Sequence, residues 1–157
     1  MRLDFEQIIL ENAGILHKLC RVYSNNESEY EEIFQEMMIQ IWRAIPNFRG
    51  ESQLSTWIYR ICINTALNFR TKTNKFKKYV PLEEKMPDGF TFEDEKDEQL
   101  KQLYQAIREL KPIDRALVSL YLDEKSYEET AQILGISKTN VATRLMRLKQ
   151  KLIERLS

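Results

Sequence analysis

Histidine is nearly missing: His17 stands alone among 157 residues. That leaves little for acid–base chemistry. No nucleophile–base set, phosphate loop or metal cluster is visible either, so the chain reads as a non-enzyme with no catalytic residue. Cysteine is scarce, with only Cys20 and Cys62. Both fall on apolar helical faces, where a small buried thiol is the better reading. His17-x-x-Cys20 has a metal-like spacing, but only Cys62 could add a third soft ligand, so no metal or other cofactor is expected. Glycine and proline number 4 each, and with no alternating apolar–polar runs this argues against strands. No uninterrupted apolar run approaches the ~20 residues that cross a bilayer. Asp4 and Glu6 stand where a signal peptide would be basic, so a cytoplasmic location is expected.

What is abundant is charge. The net value is zero, but that average conceals four blocks. Residues 1–40 hold 3 basic and 8 acidic side chains, 41–80 hold 8 and 1, 81–136 hold 7 and 14, and 137–157 hold 6 and 1. Two basic blocks separated by an acidic one suggest two contact zones for a polyanion. The acidic blocks need another account: a basic protein partner, or suppression of nonspecific DNA binding.

Nearly everything outside the middle has helical period. Phe5, Ile8, Ile9, Ile15, Leu16, Leu19, Cys20 and Tyr23 line one face of a first helix. Asn25-Asn26 breaks it, and Ser28 with Glu31 offers a capping box for the next. Tyr30, Ile33, Phe34, Met37, Met38, Ile41, Trp42 and Ile45 form a core stripe, which Pro46 ends near Ala44 or Ile45. After a polar loop, a third helix carries Trp57, Ile58, Ile61, Cys62 and Leu67 to about Thr71. Periodicity then fails from Lys72 to about Asp97, across Lys75, Lys77, Lys78, Pro81, Pro87-Asp88-Gly89 and an acidic cluster from Glu93. Beyond it, Leu100, Leu103, Tyr104, Ile107 and Leu110 form one helix, and Pro112 opens another through Tyr121. The expected fold is all-α. Two small helical domains, residues 1–71 and 98–157, flank a linker over 72–97, and the second ends in a helix-turn-helix.

The helix-turn-helix is the most specific pattern. Ser126 and Glu129 have capping-box spacing, Ala131 is small where two helices approach, and Gly135 suits a left-handed turn residue. Ser137 can cap the second helix, whose stripe is Val141, Leu145, Leu148 and Leu152. Its other faces carry Lys138, Asn140, Thr143, Arg144, Arg147, Lys149 and Lys151. A buried stripe backed by cations and amides is what a helix needs to lie in a major groove.

These residues resemble a family. Glu32-Ile33-Phe34-Gln35-Glu36 with Trp42, then Phe48-Arg49-Gly50-Glu51-Ser52, Thr56-Trp57-Ile58-Tyr59-Arg60-Ile61 and Asn64, are similar to the promoter-melting domain of extracytoplasmic-function sigma factors of the sigma-70 class. Ser126-Tyr127-Glu128-Glu129 and Thr143-Arg144-Leu145 resemble that family's second domain. The resemblance implies a dissociable specificity subunit of RNA polymerase that directs promoter recognition and DNA melting. Glu32, Gln35, Glu36 and Trp42 would dock on the β′ clamp helices, and the β flap is a second expected contact. Asn47, Phe48, Arg49, Gly50 and Ser52 would hold a flipped base of the minus-10 element, Asn64 would read a base edge, and Arg60 and Arg70 would hold phosphates. Trp57 is expected in the core. The helix after Ser137 would read the minus-35 element through the seven polar residues named above. The acidic linker would lie along the basic RNA-exit path. An anti-sigma factor is a further expected partner, and insertion into a membrane is not expected.

The chain departs from the family in three places: Glu32 stands for an aspartate, Thr130 for an aliphatic residue, and Ala142-Thr143 for a Lys-Ser or Arg-Ser pair. Two other functions share some features. A helix-turn-helix regulator would carry a ligand-binding or receiver domain upstream, but residues 1–71 lack strand–helix alternation. A helical antagonist of polymerase subunits would not need a basic recognition helix.

Overall fold

A computed structural model describes residues 4–77 and 97–157, with side chains for 4–71 and 97–157. The chain divides into two compact units, Met1–Phe90 and Thr91–Ser157. The expected linker falls mostly outside the described residues. Among the described residues there is no strand, and no helix is long and apolar enough to cross a membrane.

In the first unit, helix α1 (Phe5–Tyr23) starts where Asp4 Oδ1 accepts the Glu6 amide at 3.1 Å. It stops at Ser24, whose hydroxyl donates to the Cys20 carbonyl at 2.6 Å, taking up one of the carbonyls a helix end leaves open. Helix α2 (Glu27–Ala44) starts two residues earlier than the Ser28–Glu31 box predicts. The cap is Asn26, whose Oδ1 accepts the Glu29 amide at 2.8 Å. An asparagine caps as well as a serine, and the earlier one wins because Glu29 also accepts the Asn25 amide at 2.8 Å. As Pro46 predicts, α2 ends at Ala44 and gives way to a 3-10 turn over Ile45–Asn47. Helix α3 (Leu54–Lys77) runs six residues beyond its expected end at Thr71.

The three helices pack on one another. Leu16, Leu19 and Cys20 of α1, Ile33, Met37 and Ile41 of α2, and Ile58, Tyr59, Cys62, Ile63 and Ala66 of α3 are buried. Each fully buried large side chain contributes about 1.5–3 kcal/mol. Both thiols sit in this core. Cys20 Sγ lies 3.8 Å from Met37 Sδ. Burial pushes the Cys20 thiol up to about 12, and burial followed by the charge of Cys20 pushes Cys62 up as well.

The second unit holds α4 (Glu98–Arg108), α5 (Pro112–Leu122), α6 (Tyr127–Leu134) and α7 (Lys138–Leu156). Asp97 caps α4, and Pro112 opens α5 at the first-turn position where a missing amide costs nothing. Leu110, expected on α4, lies just past its end and is buried. α7 packs against the other three; its Val141, Leu145 and Leu148 are buried, as are Ala106, Ile107, Leu117, Leu120 and Ile133 of its neighbours.

Candidate nucleic-acid interface

Glu32, Gln35 and Glu36 stand exposed on α2, as their polar edge predicts. They share a groove of about 590 Å3 with Asn64, Thr65 and Asn68 of α3. The sequence assigned the first three to one partner and Asn64 to another, yet they form facing walls of one groove. Trp42 does not join the core as its stripe suggested; it is 63% exposed. The buried line on α2 is Ile33, Met37 and Ile41 at four-residue spacing, and a residue one step past it is turned ~100° away. Trp42 instead joins Phe5, Met38, Ile39 and Arg43 around a second, more apolar cleft of about 560 Å3.

The loop between α2 and α3 is held by an aromatic contact. Phe48 and Trp57 are both half-buried, with ring centroids 4.8 Å apart and planes tilted by 50°, a favourable aromatic arrangement. Trp57 is therefore a staple for the loop rather than a core residue. Asn47, Arg49 and Gly50 are exposed and Ser52 is half-buried. Gly50 has φ +75°, which only glycine adopts without strain. Arg60 is half-buried.

Arg70 departs from its expected role. It is 7% exposed, and Nη1 donates to Glu29 Oε1 at 3.0 Å. With its amide oxygen turned toward the guanidinium, Asn25 accepts from Nη2 at 2.7 Å and from Nη1 at 3.2 Å. A cation enclosed this way is not on offer to a phosphate.

In the second unit the local chemistry matches the pattern. The Ser126 hydroxyl accepts the Glu129 amide at 3.1 Å and completes the capping box with the Glu129 carboxylate. Gly135 is left-handed at φ 70°, and the Ala131 carbonyl accepts both the Gly135 and Ile136 amides. Ser137 Oγ accepts the Asn140 amide at 3.0 Å and starts α7. Thr130 is 1% exposed in the core position where the family carries an aliphatic side chain.

The cations of α7 are not equivalent. Lys138 pairs with Glu128 at 3.2 Å. Arg144 donates to Asn140 Oδ1 at 3.1 Å and lies 3.8 Å from Asp114. Lys149 sits 4.1 Å from the Tyr121 ring centroid, and its pKa is raised first by a hydrogen bond to Tyr121. Thr143 is half-buried. Arg147 and Lys151 are exposed. Lys151 is near enough to Glu109 to help lower that carboxyl's pKa, behind the larger effect of the Arg155 hydrogen bond.

Sequence reasoning missed Asn25, Glu29, Asn68, Ile39 and Tyr121. Asn68 had a signal, since it lies four residues after Asn64 and so shares its face. The partners of Arg70 and Lys149 come from other helices and from the α1–α2 turn, and no spacing along the chain announces them.

The sigma-70 region 2 model matches residues 8–76, and the model of sigma-70, region 4 matches residues 100–152. The chain is 25% identical over 155 residues to "ECF RNA polymerase sigma factor SigM" of Mycobacterium tuberculosis, covering 96% of this chain and 76% of that protein. It is 28% identical over 153 residues to "ECF RNA polymerase sigma-E factor" of Escherichia coli, covering 85% of this chain and 78% of that protein. Among solved structures, the sigma factor RpoE in complex with the anti-sigma factor NepR from Bartonella quintana superposes with a TM-score of 0.75 at 23% identity, covering 98% and 96% of the two chains. CnrH in complex with the cytosolic domain of CnrY gives 0.67 at 18% identity, covering 97% and 86%. At these identities the structural likeness shows the fold.

Proposed function

Because the chain belongs to the sigma-70 family, in its extracytoplasmic-function branch, we propose that it works as a dissociable specificity subunit. It binds core RNA polymerase in the cytoplasm, recognises a promoter, opens it and departs, while polymerisation belongs to the core enzyme. One observation supports this reading most. α7 buries Val141, Leu145 and Leu148 and leaves Arg147 and Lys151 exposed, as a helix seated in a major groove requires. Residues 98–157 are the minus-35 reader, with Arg147 at a base edge. Lys151 meets phosphate, and Lys138, Asn140, Thr143, Arg144 and Lys149 lie around them. The chain between α3 and α4 links this unit to the promoter-melting unit. There, Glu32, Gln35, Glu36 and Trp42 meet the β′ clamp helices, and the β flap meets the second unit. Asn47, Phe48, Arg49, Gly50, Ser52, Arg60 and Asn64 meet the minus-10 element. An anti-sigma partner, as in the solved complex of RpoE with the anti-sigma factor NepR, belongs to the same proposal.

Capture of core polymerase followed by promoter-dependent run-off transcription tests it. Transcripts that require both chain and promoter are expected. Binding to a palindrome as a dimer without polymerase would favour a regulator, and capture of polymerase with no transcript would favour an antagonist. Within an active holoenzyme, Asn64→Ala and Gly50→Val should impair permanganate-detected opening while leaving duplex binding by the second unit intact.

A further inference from the structure

The Arg70 guanidinium joins three pieces of the first unit. Glu29 belongs to the first turn of α2, Asn25 to the turn between α1 and α2, and Arg70 to α3. The acceptors are also held by bonds that do not involve Arg70: the Glu29 amide is fixed by Asn26, and its carboxylate by the Asn25 amide. A carboxylate in the first turn of a helix is also favoured by the helix dipole. The planar fork of arginine then reaches both oxygens at once in a fixed geometry, which the freely rotating ammonium of a lysine does not impose. Arg70 is also the last buried side chain described on α3, since Thr71 is exposed. The helix continues to Lys77. Seven residues at 1.5 Å each carry it ~10 Å further, past Lys72, Lys75 and Lys77 in the sequence.

We propose that Arg70 is a positioning residue: held by Glu29 and Asn25, it sets the line on which the lysine-bearing end of α3 leaves the unit, and through it the alignment of promoter DNA during opening. This rests on the promoter-opening reading above. Arg70 acts on DNA without touching it. Any tilt of α3 at the clamp grows toward the helix end, where phosphate would be met.

The test uses the full chain with core polymerase and compares Arg70→Lys, Glu29→Gln and Asn25→Ala with the unaltered protein. Helix content, thermal midpoint, polymerase affinity and permanganate-detected opening at saturating holoenzyme are measured together. Arg70→Lys and Glu29→Gln are expected to keep polymerase affinity and to lower the opening rate alike, by about tenfold, within the range by which indirect contacts modulate a coupled site. Asn25→Ala, which spares the ion pair, is expected to lower it less. That variant carries the test if a charge change fails to fold. If Glu29→Gln opens promoters as well as the unaltered chain while Arg70→Lys does not, Arg70 contacts phosphate itself and the proposal falls. It falls too if no variant alters opening, or if Asn25→Ala is the only variant that folds and it opens promoters as well as the unaltered chain. Polymerase affinity and opening lost together, in step with the thermal midpoint, would reduce the clamp to a fold contact. An unaltered holoenzyme that opens no promoter would instead sink the functional reading.

Discussion

The two units hold their cations differently. In the first, Arg70 is enclosed, and its partners come from the α1–α2 turn and from α2. In the second, α7 holds its cations at the surface: Lys138 on Glu128, Arg144 on Asn140 and Asp114, Lys149 over Tyr121, and Arg155 on Glu109. A buried pair cannot be broken without leaving a desolvated charge, so it fixes backbone. An exposed pair is worth little, so it directs a side chain without committing it. Such cations can exchange a carboxylate for a phosphate.

The contrast implies that α7 is anchored by its apolar stripe alone, and the largest effect should come from breaking that stripe. Leu145 is 1% exposed, so Leu145→Ala should cost about 2–5 kcal/mol, read as a lower thermal midpoint of the second unit. A loss no larger than that of Arg155→Ala would put the anchor in the ion pairs and end the contrast. Next comes the groove of the first unit. Glu32→Lys with Glu36→Lys should keep helix content, since lysine is a good helix former. Placing like charge against a basic partner should cost several kcal/mol of polymerase affinity. Unchanged affinity in the folded double variant would remove that face from the interface.

A smaller effect separates cations within α7. Arg147→Ala should cost ~1–3 kcal/mol on its preferred minus-35 sequence and relax preference there. Lys151→Ala should weaken all sequences alike and flatten the salt dependence by about one unit. An Arg147→Ala variant that weakens every promoter equally would mean that α7 lies differently in the groove.

Smaller again is a backbone effect. Glu124 takes a left-handed φ of 60° after α5, where the Lys125 amide bonds the Leu120 carbonyl. Gly135 fills the same conformation after α6. Left-handed backbone costs a side-chain-bearing residue about 1–2 kcal/mol, so Glu124→Gly should raise the denaturant midpoint, and a lowered one would count against this account. The smallest effect depends on pH. The Arg155 hydrogen bond holds Glu109 below the usual carboxylate range. A carboxyl depressed on folding stabilises fully above its unfolded pKa, and that share disappears as pH falls through the folded value. Both side chains are about half exposed, so the gap in melting temperature between the unaltered chain and Glu109→Gln should be slight at neutral pH and closed in acid.

The same contrast marks what the sequence could and could not reveal. Ser126, Gly135 and Ser137 act on backbone within five residues of themselves, so their roles are written in local spacing. The stripe of α7 is equally local. Asn26 displaced Ser28 as a cap because two overlapping signals compete and the bond of the Asn25 amide to Glu29 decides between them. Trp42 was counted with the core because period alone does not say how wide the buried stripe is. The fate of Arg70 was hidden because Glu29 lies 41 residues away, and a cation in a basic block reads as a ligand for phosphate until its partner is known.

The two thiols packed in the first unit bear on what this chain can sense. Oxidants attack thiolates that solvent can reach. Cys20 and Cys62 are both buried, and burial raises the pKa of each far above neutrality. Burial and a raised pKa both work against oxidation of either sulfur. The first unit is in this respect a passive component under oxidative stress, and any such signal would reach it through something other than its own cysteines.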